Sequence, residues 1–430
     1  MPTASLPRVS AILPGLIPST VISIVKPLLA LHRAGQITAT VTLEALATVD
    51  DVDAADLVVF CRNTEPRFGH FAERCLDRGT PYVYDLDDNF FVVPSHLEEG
   101  RYHNDPIRLE QLRRYVAGAA LVRVYSEPVR RRVLDHNDHV AVVTPSLDWS
   151  LLPPSLPPRR DGPVRILYAT SRLKDELAAI FMPAVEAALE RRLGVEVCFW
   201  GFHPEGFRKR RGIRLLPLEG DYDRFLGRLG RSGFDIGLAP LADTEFHRSK
   251  TNNKFREYGA AGIAGLYSNV EVYSSCVRDG ETGLLVDNDP EAWRAALDRL
   301  IDDAELRERI RWSAREEVHR RYSQERAAGE WLAQIRELLH AGGGRVLLRS
   351  AGSQAKGPPQ GRAALFDRFR GLAGRSIRLF WRIRDIGLRP TVSWARRYVE
   401  GLRLLRRIRK ELARPRPLSS QPGNANGRGL

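Results

Sequence analysis

The chain is poor in cysteine and has no long apolar run. Its cysteines are far apart and form neither a CxxC motif nor a cluster with histidine; they are Cys61, Cys75, Cys198 and Cys276. This spacing indicates neither a disulfide framework nor a structural zinc site. Nowhere do about 18 consecutive apolar residues occur, and the N-terminus does not have the charged and apolar regions of a signal peptide. We therefore expect a protein of the reducing cytoplasm that does not span a membrane.

Acidic residues are scarce at one end of the chain only. Residues 341–430 carry 21 basic and 4 acidic side chains, whereas residues 1–340 carry 45 basic and 49 acidic ones. The net charge of +13 therefore belongs to a C-terminal tail on a slightly acidic body. With 430 residues, of which 43% are hydrophobic, the chain is long enough to form two cores.

Short β-branched segments alternate with helix-length intervals along the body. This pattern predicts an α/β protein with two Rossmann-like domains, each built on a doubly wound parallel sheet, facing one cleft. We expect an N-terminal domain over residues 1–150, a proline-rich linker over 151–163 and a second domain over 164–340. In the second domain the pattern predicts helices over 174–192, 221–231, 252–261 and 290–322.

The tail, residues 341–430, begins with a glycine-rich linker and contains two arginine-rich apolar segments within residues 361–414. In the second segment, apolar residues recur every three or four positions and arginines occupy the other sides, which predicts a basic amphipathic helix. Such a helix suits an anionic membrane surface. Packing back onto the body as a helical hairpin is the alternative. Nucleic acid is not expected, because the body is acidic and no nucleic-acid-binding motif occurs.

The stretch from Leu238 to Val286 combines features of a phosphate and ribose site on an α/β sheet. A buried strand, a polar loop with two lysines, a short helix and a second strand follow one another. Lys250, Lys254 and Glu257 project from one side if the helix begins near residue 251 and the turn before it is helical. Lys254 and Glu257 also fit an ordinary ion pair on a solvated helix, so both interpretations are open at this point.

The run SKTNNKFREYGAAGIAGLYSNVEVY, followed by VRDGETGLLVDNDPEAW, resembles the nucleotide-sugar-binding half of GT-B glycosyltransferases. The likeness is to glycosyltransferase family 4, also called glycosyl transferases group 1, and extends from about Arg165 to about Leu338. It implies a GT-B fold and transfer of a sugar from a nucleotide-sugar donor to a glycan or lipid-linked acceptor in cell-surface polysaccharide synthesis. The implied reaction is retaining and needs no metal, and the donor is a co-substrate rather than a bound cofactor.

The resemblance also implies roles for individual residues. Glu257 takes the place of a glutamate that accepts hydrogen bonds from the donor ribose. The basic residues expected to bind the diphosphate are Lys254, Lys250, Arg172 and Lys174, and the first three of these, with Glu257, are expected to act in catalysis. Asn253 and Tyr273 are further expected donor contacts. The family's second glutamate, eight positions before Glu257, is replaced here by Ser249.

Three carboxylates, Asp85, Asp87 and Asp88, follow a predicted strand of the first half. Metal binding, hydrogen bonds to sugar hydroxyls and capping of the next segment are the possible roles. We favour contact with hydroxyls of the acceptor and expect no metal site, because GT-B enzymes usually work without a bound metal.

The loop after the first strand contains Gly15. The resemblance implies that this loop approaches the donor phosphates or the acceptor, and a backbone without a Cβ at Gly15 allows close approach. The resemblance also implies a histidine that contacts the donor sugar. His70, His96 and His103 all lie in this half, and each is equally explained as a structural or exposed residue.

Two alternatives accompany the glycosyltransferase interpretation. One is a different GT-B activity, such as that of an epimerase or a hydrolase. The other is a non-catalytic scaffold that binds sugar nucleotides and is tethered by its basic tail, an interpretation that the serine at position 249 favours. The expected location is the cytoplasm, peripheral on the inner face of the plasma membrane.

Overall fold

Two parallel sheets of six strands each carry the fold. They are seen in a computed structural model that describes residues 5–156, 158, 161–170, 175–191, 194–202, 211–341 and 388–414. The first sheet contains β1 (Arg8–Leu13), β2 (Thr38–Leu43), β3 (Leu57–Cys61), β4 (Tyr82–Leu86), β5 (Leu121–Val124) and β6 (Val140–Val142). The second contains β7 (Val164–Thr170), β8 (Val195–Gly201), β9 (Ile213–Leu216), β10 (Ile236–Ala239), β11 (Ala264–Ser268) and β12 (Leu284–Val286).

The strand order reverses once in each sheet. The first sheet has the order β2-β1-β3-β4-β5-β6, and the second has the order β12-β11-β10-β7-β8-β9. The chain therefore changes direction across the first sheet between β1 and β3, and across the second between β7 and β10. In open α/β sheets the loops at such a reversal separate and leave a crevice at the carboxyl ends of the strands.

Helices connect the strands and cover both faces of each sheet. The helices associated with the first sheet are α1 (Pro18–Thr20), α2 (Lys26–Arg33), α3 (Val49–Asp53), α4 (His70–Arg78), α5 (Glu98–His103), α6 (Pro106–Gly118) and α7 (Glu127–Leu134). Those that follow in the chain are α8 (Asp175–Arg191), α9 (Tyr222–Gly230), α10 (Glu245–Arg248), α11 (Asn253–Ala261), α12 (Glu271–Ser274), α13 (Pro290–Asp302), α14 (Ala304–Arg321), α15 (Gln324–Ala341) and α16 (Leu388–Leu412).

The predicted doubly wound α/β architecture is confirmed. All residues of β3, β4, β10 and β11 are buried, as expected for parallel strands with helices on both faces. The predicted helices of the second domain correspond to α8, α9, α11 and a pair, α13 and α14. The pair differs from the single helix predicted over 290–322, because the side chain of Asp303 accepts a hydrogen bond from the backbone N–H of Leu306 at 2.8 Å and starts a new helix.

A π-helical turn, Val21–Val25, separates α1 from α2. The backbone N–H of Lys26 donates to the carbonyl of Val21, five residues earlier. The next residue, Pro27, has no backbone N–H. The wider π-turn therefore leaves no N–H of residue 27 without a hydrogen-bond partner.

The last helix of the predicted second domain packs on the first domain. Trp331 and Ile335 of α15 are fully buried among residues of β1, β2 and β3. The indole N–H of Trp331 donates to the carbonyl of Ser23 at 2.8 Å, and the guanidinium of Arg123 lies 3.8 Å from the centre of its ring. Residues 324–341 thus pack with the N-terminal domain, whereas the sequence analysis placed the chain up to residue 340 in the second domain.

Helix α16 also packs on the N-terminal domain. Leu405 and Ile408 are buried against β2 and α2, and Arg409 donates to the hydroxyl of Thr42 at 3.1 Å. The apolar side of this helix therefore faces the protein, as in the alternative that the tail packs back on the body. The arginine-rich segment before residue 388 lies outside the described residues. None of the helices described here has the length and apolar character needed to cross a membrane.

We expect Trp331→Ala to lower the free energy of unfolding of the N-terminal domain by about 3 to 5 kcal/mol, because it leaves a large cavity and removes the partner of Arg123. Denaturant unfolding followed by circular dichroism measures this change. The matched control is Trp312→Ala, since Trp312 is 53% exposed on α14. A similar effect of both substitutions would contradict the assignment of α15 to the N-terminal core.

Candidate functional site

The two reversals of strand order face each other across an interdomain cleft. In the second domain, the loop after β10 leads into α10 and then α11, so these helices lie at the carboxyl edge where the order reverses. In the first domain, the loop after β1 contains Gly15, and the loop after β3 begins at Arg62. Phe246 of α10 is buried in the core of the N-terminal domain, so α10 closes one side of the cleft.

Helix α11 is a buried helix with one polar end directed at the cleft. Asn252 precedes its first turn, and Gly262 ends it with a φ of 66°, a left-handed conformation that favours glycine. The stripe predicted from the sequence, Phe255, Tyr258 and Ala261, is buried as expected. Every residue from 255 to 261 is buried, so α11 is not a solvated surface helix.

Lys254 and Glu257 form an ion pair on α11. The ammonium Nζ of Lys254 lies 2.7 Å from Oε2 of Glu257, whose side chain is only 6% exposed. A carboxylate is rarely this deeply buried unless it is paired or bonded. Two aromatic rings lie near the ammonium: Phe225 at 5.6 Å and Tyr258 at 5.7 Å. The carboxylate is therefore buried and the ammonium only partly exposed, unlike an ordinary pair on a solvated helix face.

A tyrosine of α9 completes the surroundings of Glu257. Burial, followed by the negative charge of the nearby Glu257 carboxylate, raises the pKa of Tyr222 well above its usual value. Tyr222 is therefore neutral at physiological pH, and Glu257 accepts from the ammonium of Lys254 at 2.7 Å. A carboxylate has about four lone-pair positions, so further acceptor capacity remains for a ligand.

Lys250 does not lie beside Lys254, contrary to the arrangement expected from the sequence. Helix α11 begins at Asn253, and Asn252 has a non-helical ψ of 40°, so the chain turns between the two lysines. The Nζ of Lys250 instead lies 2.5 Å from Oδ2 of Asp88 in the N-terminal domain and 3.8 Å from the ring centre of Phe246. Lys250 thus joins the two domains across the cleft.

The carboxylates after β4 pair with cations of both domains. Asp87 pairs with Arg62, and Asp88 pairs with Lys250 and lies 3.9 Å from Nη2 of Arg62. Arg62 has a φ of 59°, the one positive value for a residue other than glycine in the described parts of the chain. Such backbone conformations are costly and persist where surrounding contacts impose them. Asp87 and Asp88 stay at the carboxyl edge of the sheet, within reach of the cleft.

Asp85 does not have the contact with the acceptor that was expected from the sequence. Its side chain is fully buried and forms an ion pair with Arg123 at 3.2 Å. Tyr125 donates to the same carboxylate at 2.8 Å. Burial, opposed by the charge of Arg123, raises the pKa of Asp85 to about 6. Because Arg123 also stacks on Trp331, Asp85 holds α15 in place and has no surface left for a sugar hydroxyl.

The remaining expected donor contacts differ in position. The side chain of Tyr273 is buried with its ring 4.9 Å from that of Tyr267, which corrects the expectation that this side chain touches the donor. Asn253 is exposed in the first turn of α11, where its Oδ1 accepts from the hydroxyl of Thr251 at 2.9 Å. A Cβ atom added at Gly15 would meet no other atom within 4 Å, so the backbone there is open to approach. Arg172 and Lys174 lie outside the described residues.

The three candidate histidines occupy different surroundings. His70 is exposed at the start of α4, and the ring of His103 lies 4.3 Å from that of Phe90. His96 lines a cavity of about 510 Å³ between the domains, together with Thr244, Glu245 and His247 of the second domain. Of the three, His96 is thus the one that faces residues of both domains.

Comparisons with known proteins agree with this geometry. The family model for glycosyl transferases group 1 matches residues 254–317, a segment that begins at Lys254 and includes Glu257. D-inositol 3-phosphate glycosyltransferase of Thermomonospora curvata is 29% identical over 267 residues, 54% of this chain and 60% of the relative. The chain thus spans about 60% of the length of this curated relative. The resemblance to GT-B glycosyltransferases of group 1 is confirmed.

Solved structures show the same GT-B fold. A glycosyltransferase from Rickettsia africae superposes with a TM-score of 0.57 at 14% identity and covers 78% of this chain and 99% of its own. Anabaena HepE in complex with UDP superposes with a TM-score of 0.55 at 14% identity, over 77% of this chain and 100% of its own. At such low identity the likeness concerns the fold alone. It extends over both GT-B domains.

Sequence reasoning missed several polar residues at the edge of the N-terminal sheet and at the domain interface. They are Lys26, Arg62, Glu44 and Asn63. Lys26 reaches Asp148, just before the linker, at 2.6 Å and Asp223 of α9 at 2.7 Å. Each of the four lies next to an apolar segment and belongs to no motif with a distinctive spacing. The one sequence signal of an unusual position was Lys26, which stands before Pro27 within a helical pattern.

Glu44 is a buried carboxyl at the carboxyl end of β2. Its Oε2 accepts from the amide of Asn63 at 2.7 Å. Burial raises the pKa of Glu44 to about 7, although the hydrogen bond from Asn63 opposes the shift. The folded protein therefore binds more protons at this site than the unfolded chain between about pH 4.5 and pH 7.

This shift predicts the pH dependence of stability. Burial in the folded state disfavours ionisation of Glu44. The contribution of Glu44 to the free energy of unfolding therefore falls by about 1 to 3 kcal/mol as the pH rises from about 4.5 to about 7. Glu44→Gln removes the titration, so the stability difference between wild type and variant should change by this amount between pH 5 and pH 8. Urea unfolding at both pH values measures it. For the exposed control Glu110→Gln the difference should stay constant, and a constant difference for Glu44→Gln would contradict the prediction.

Proposed function

We propose that the chain is a glycosyltransferase that moves a sugar from a nucleotide-sugar donor to a glycan or lipid-linked acceptor. The observation that carries this proposal is the Lys254–Glu257 pair on α11, with its buried carboxylate, at the carboxyl edge where the strand order of the second sheet reverses. The group 1 family match begins at this pair. The name of the Thermomonospora curvata relative and the complexes of HepE with UDP and UDP-glucose also support a donor of this class.

In the proposed mechanism, Glu257 accepts hydrogen bonds from the ribose hydroxyls of the donor with the acceptor capacity that Lys254 leaves. Cleavage of the bond between sugar and phosphate builds negative charge on the leaving diphosphate. Lys254 and the N-terminal end of α11 supply positive charge and N–H donors for it. We propose Arg172 and Lys174 as further diphosphate ligands, because they follow in the chain directly after β7, a strand that borders the same reversal of strand order.

For the acceptor side, we propose that Asp87 and Asp88 contact sugar hydroxyls. Lys250 links the two sides, because its ammonium pairs with Asp88 at 2.5 Å. A diphosphate at the cleft competes with Asp88 for this ammonium and releases the carboxylate for an acceptor hydroxyl. Retention of the anomeric configuration and a role in cell-surface polysaccharide synthesis are the parts of this proposal that rest on the family resemblance.

Binding and turnover test the proposal directly. In thermal unfolding with UDP, GDP, dTDP and ADP, we expect one diphosphate to stabilise the wild type, by about 2.7 kcal/mol at 100 times its dissociation constant. Glu257→Gln and Lys254→Met should weaken this stabilisation and lower sugar transfer from the matching nucleotide sugar by about 100-fold or more. The controls are Glu281→Gln, on an exposed carboxylate, and Lys410→Met. Equal binding by wild type and the two site variants would contradict the proposal.

A second candidate function follows from Ser249. This residue is buried between the domains, where its Oγ donates to the carbonyl of Glu245 at 2.8 Å and accepts from Asn89 at 3.2 Å. It is therefore not placed to contact a donor sugar as the family glutamate does. A scaffold that binds the nucleotide without transfer fits this feature. Such a scaffold would show diphosphate binding that depends on Glu257, but no turnover with any acceptor.

We further propose that the protein lies on the inner face of the plasma membrane through the basic side of α16 and the rest of residues 361–414. Arg403, Arg406 and Lys410 are exposed on this helix, whereas Leu405 and Ile408 are buried against the protein. Attraction therefore arises from charge, about 1 kcal/mol for each basic residue near an anionic surface, and does not use the buried apolar residues.

The triple substitution Arg403→Gln, Arg406→Gln and Lys410→Gln should weaken binding to vesicles rich in phosphatidylglycerol by about 100-fold, as expected for three such charges. Sedimentation with vesicles measures binding, which should also fall steeply with salt. Substitutions are preferable to removal of α16, which would uncover the apolar surface under Leu405. The control replaces three exposed arginines elsewhere, Arg113, Arg114 and Arg326, by glutamine. Equal losses in both variants would contradict a specific basic surface.

A further inference from the structure

A cavity of about 510 Å³ between the two domains is not used by the proposed donor site. One wall is the loop after β4, with Val92, Pro94 and His96, and the other is the segment around α10, with Glu245 and Phe246. None of the described residues proposed to bind the donor lines this cavity. Its volume lies in the range of about 300 to 1,000 Å³ that is usual for small-molecule sites. The cavity is therefore large enough for a ligand of its own.

The lining of the cavity combines apolar surfaces with a few polar groups. Val92, Pro94 and Phe246 are apolar, whereas Glu245 and His96 contribute a carboxylate and an imidazole and are both exposed. No lysine or arginine in the described parts of the chain lines the cavity. A phosphate, sulfate or carboxylate would meet the negative charge of Glu245 without an opposing cation in the lining. The cavity thus suits a neutral ligand with apolar faces and hydroxyl groups, which is the chemistry of a sugar ring.

The carboxylate of Glu245 has no ion pair or hydrogen bond with any residue that the structure describes. The cations that follow it in the chain are already paired. Arg248 binds both carboxylate oxygens of Asp243, at 2.5 and 2.8 Å, and Nζ of Lys250 lies 2.5 Å from Oδ2 of Asp88. A carboxylate has about four lone-pair positions. Glu245 therefore keeps this acceptor capacity for hydroxyl groups of a ligand in the cavity.

The segment that carries Glu245 is held in place from both sides. Phe246 is buried in the core of the N-terminal domain. The hydroxyl of Thr244 lies 2.8 Å from Nδ1 of His247 and accepts from the backbone N–H of the same residue at 3.3 Å. The Oγ of Ser249 donates to the backbone carbonyl of Glu245 at 2.8 Å. A binding group on an anchored segment loses little conformational freedom when a ligand binds.

The cavity adjoins a carboxylate proposed to bind the acceptor. The ring centre of Phe246 lies 3.8 Å from Nζ of Lys250, which pairs with Asp88. The loop after β4 that contributes His96 to the cavity also contains Asp88. We propose that the cavity binds a neutral sugar ring of the acceptor, and that Glu245 accepts hydrogen bonds from its hydroxyl groups. This inference rests on the proposed function and assigns a part of the acceptor site.

Saturation-transfer NMR with the full chain tests this inference. The probes are the methyl glycosides of glucose, galactose, mannose and N-acetylglucosamine, in the presence of whichever of UDP, GDP, dTDP and ADP gives the largest thermal stabilisation. At least one glycoside should bind to the wild type. Glu245→Ala should raise its dissociation constant by about tenfold or more, because hydrogen bonds to a charged group are lost. Ala242→Trp, which fills the cavity, should abolish binding.

Matched controls separate a sugar site from general damage. Glu110→Ala removes an exposed carboxylate of α6, and Ala54→Trp adds an indole at an exposed alanine after α3. Neither control should change glycoside binding. Because the side chain of Glu245 has no partner among the described residues, Glu245→Ala should also leave the affinity for the nucleoside diphosphate unchanged, as measured by isothermal titration.

The outcomes separate this inference from the proposed function. If the wild type binds a diphosphate but no glycoside, or if Glu245→Ala binds the glycoside as well as the wild type does, the inference is wrong and the proposed function stands. If Glu245→Ala and Ala242→Trp weaken only the binding of the matching nucleotide sugar, the cavity holds the transferred sugar, and its assignment to the acceptor is wrong. If the wild type binds none of the four diphosphates, the proposed function fails and this inference fails with it.

Discussion

Parallel pairing of every strand in the two sheets is the constraint on which the site depends. Parallel strands end at a common edge, so the loops after β1, β3 and β4 meet at one edge, and the carboxyl ends of β7 and β10 lie at another. The reversals of strand order leave these loops apart and open a crevice between them. The helix that begins there, α11, is anchored by a buried stripe and by Gly262, so Lys254 and Glu257 are presented on a rigid element.

Different kinds of contact connect the two domains, and their energies differ. Helix α15 is held by the buried Trp331 and by Arg123, whose ion pair with Asp85 is inaccessible to solvent. Breaking a buried pair of this kind is costly, of the order of 3 to 5 kcal/mol. The contacts across the cleft, Lys26 with Asp223 and Lys250 with Asp88, are partly exposed and contribute less. The cleft contacts can therefore exchange for ligand contacts while α15 keeps the domains connected.

Periodicity predicted the elements because each strand is short, apolar and bounded by polar turns. The succession of strand, polar loop and short helix after β10 also indicated the proposed donor site, because that pattern is local in the sequence. It failed for Lys250, because a single non-helical residue, Asn252, turns the chain away from α11. It failed for Asp85 and Tyr273 as well. The sequence does not distinguish an aspartate or a tyrosine that faces a cleft from one that lies in a core, because residues distant in the chain decide its burial.

The sequence by itself determined the α/β class, the strand and helix succession, the basic tail and the identity of Lys254 and Glu257 as a pair. Each of these follows from residues within about one helix or strand length of one another. Only the tertiary structure decided that α15 and α16 pack on the N-terminal domain, that Lys250 meets Asp88, and that Tyr222 and Lys26 lie next to the site. These contacts join residues distant in the chain, and local propensity carries no information about which distant side chains the fold brings together.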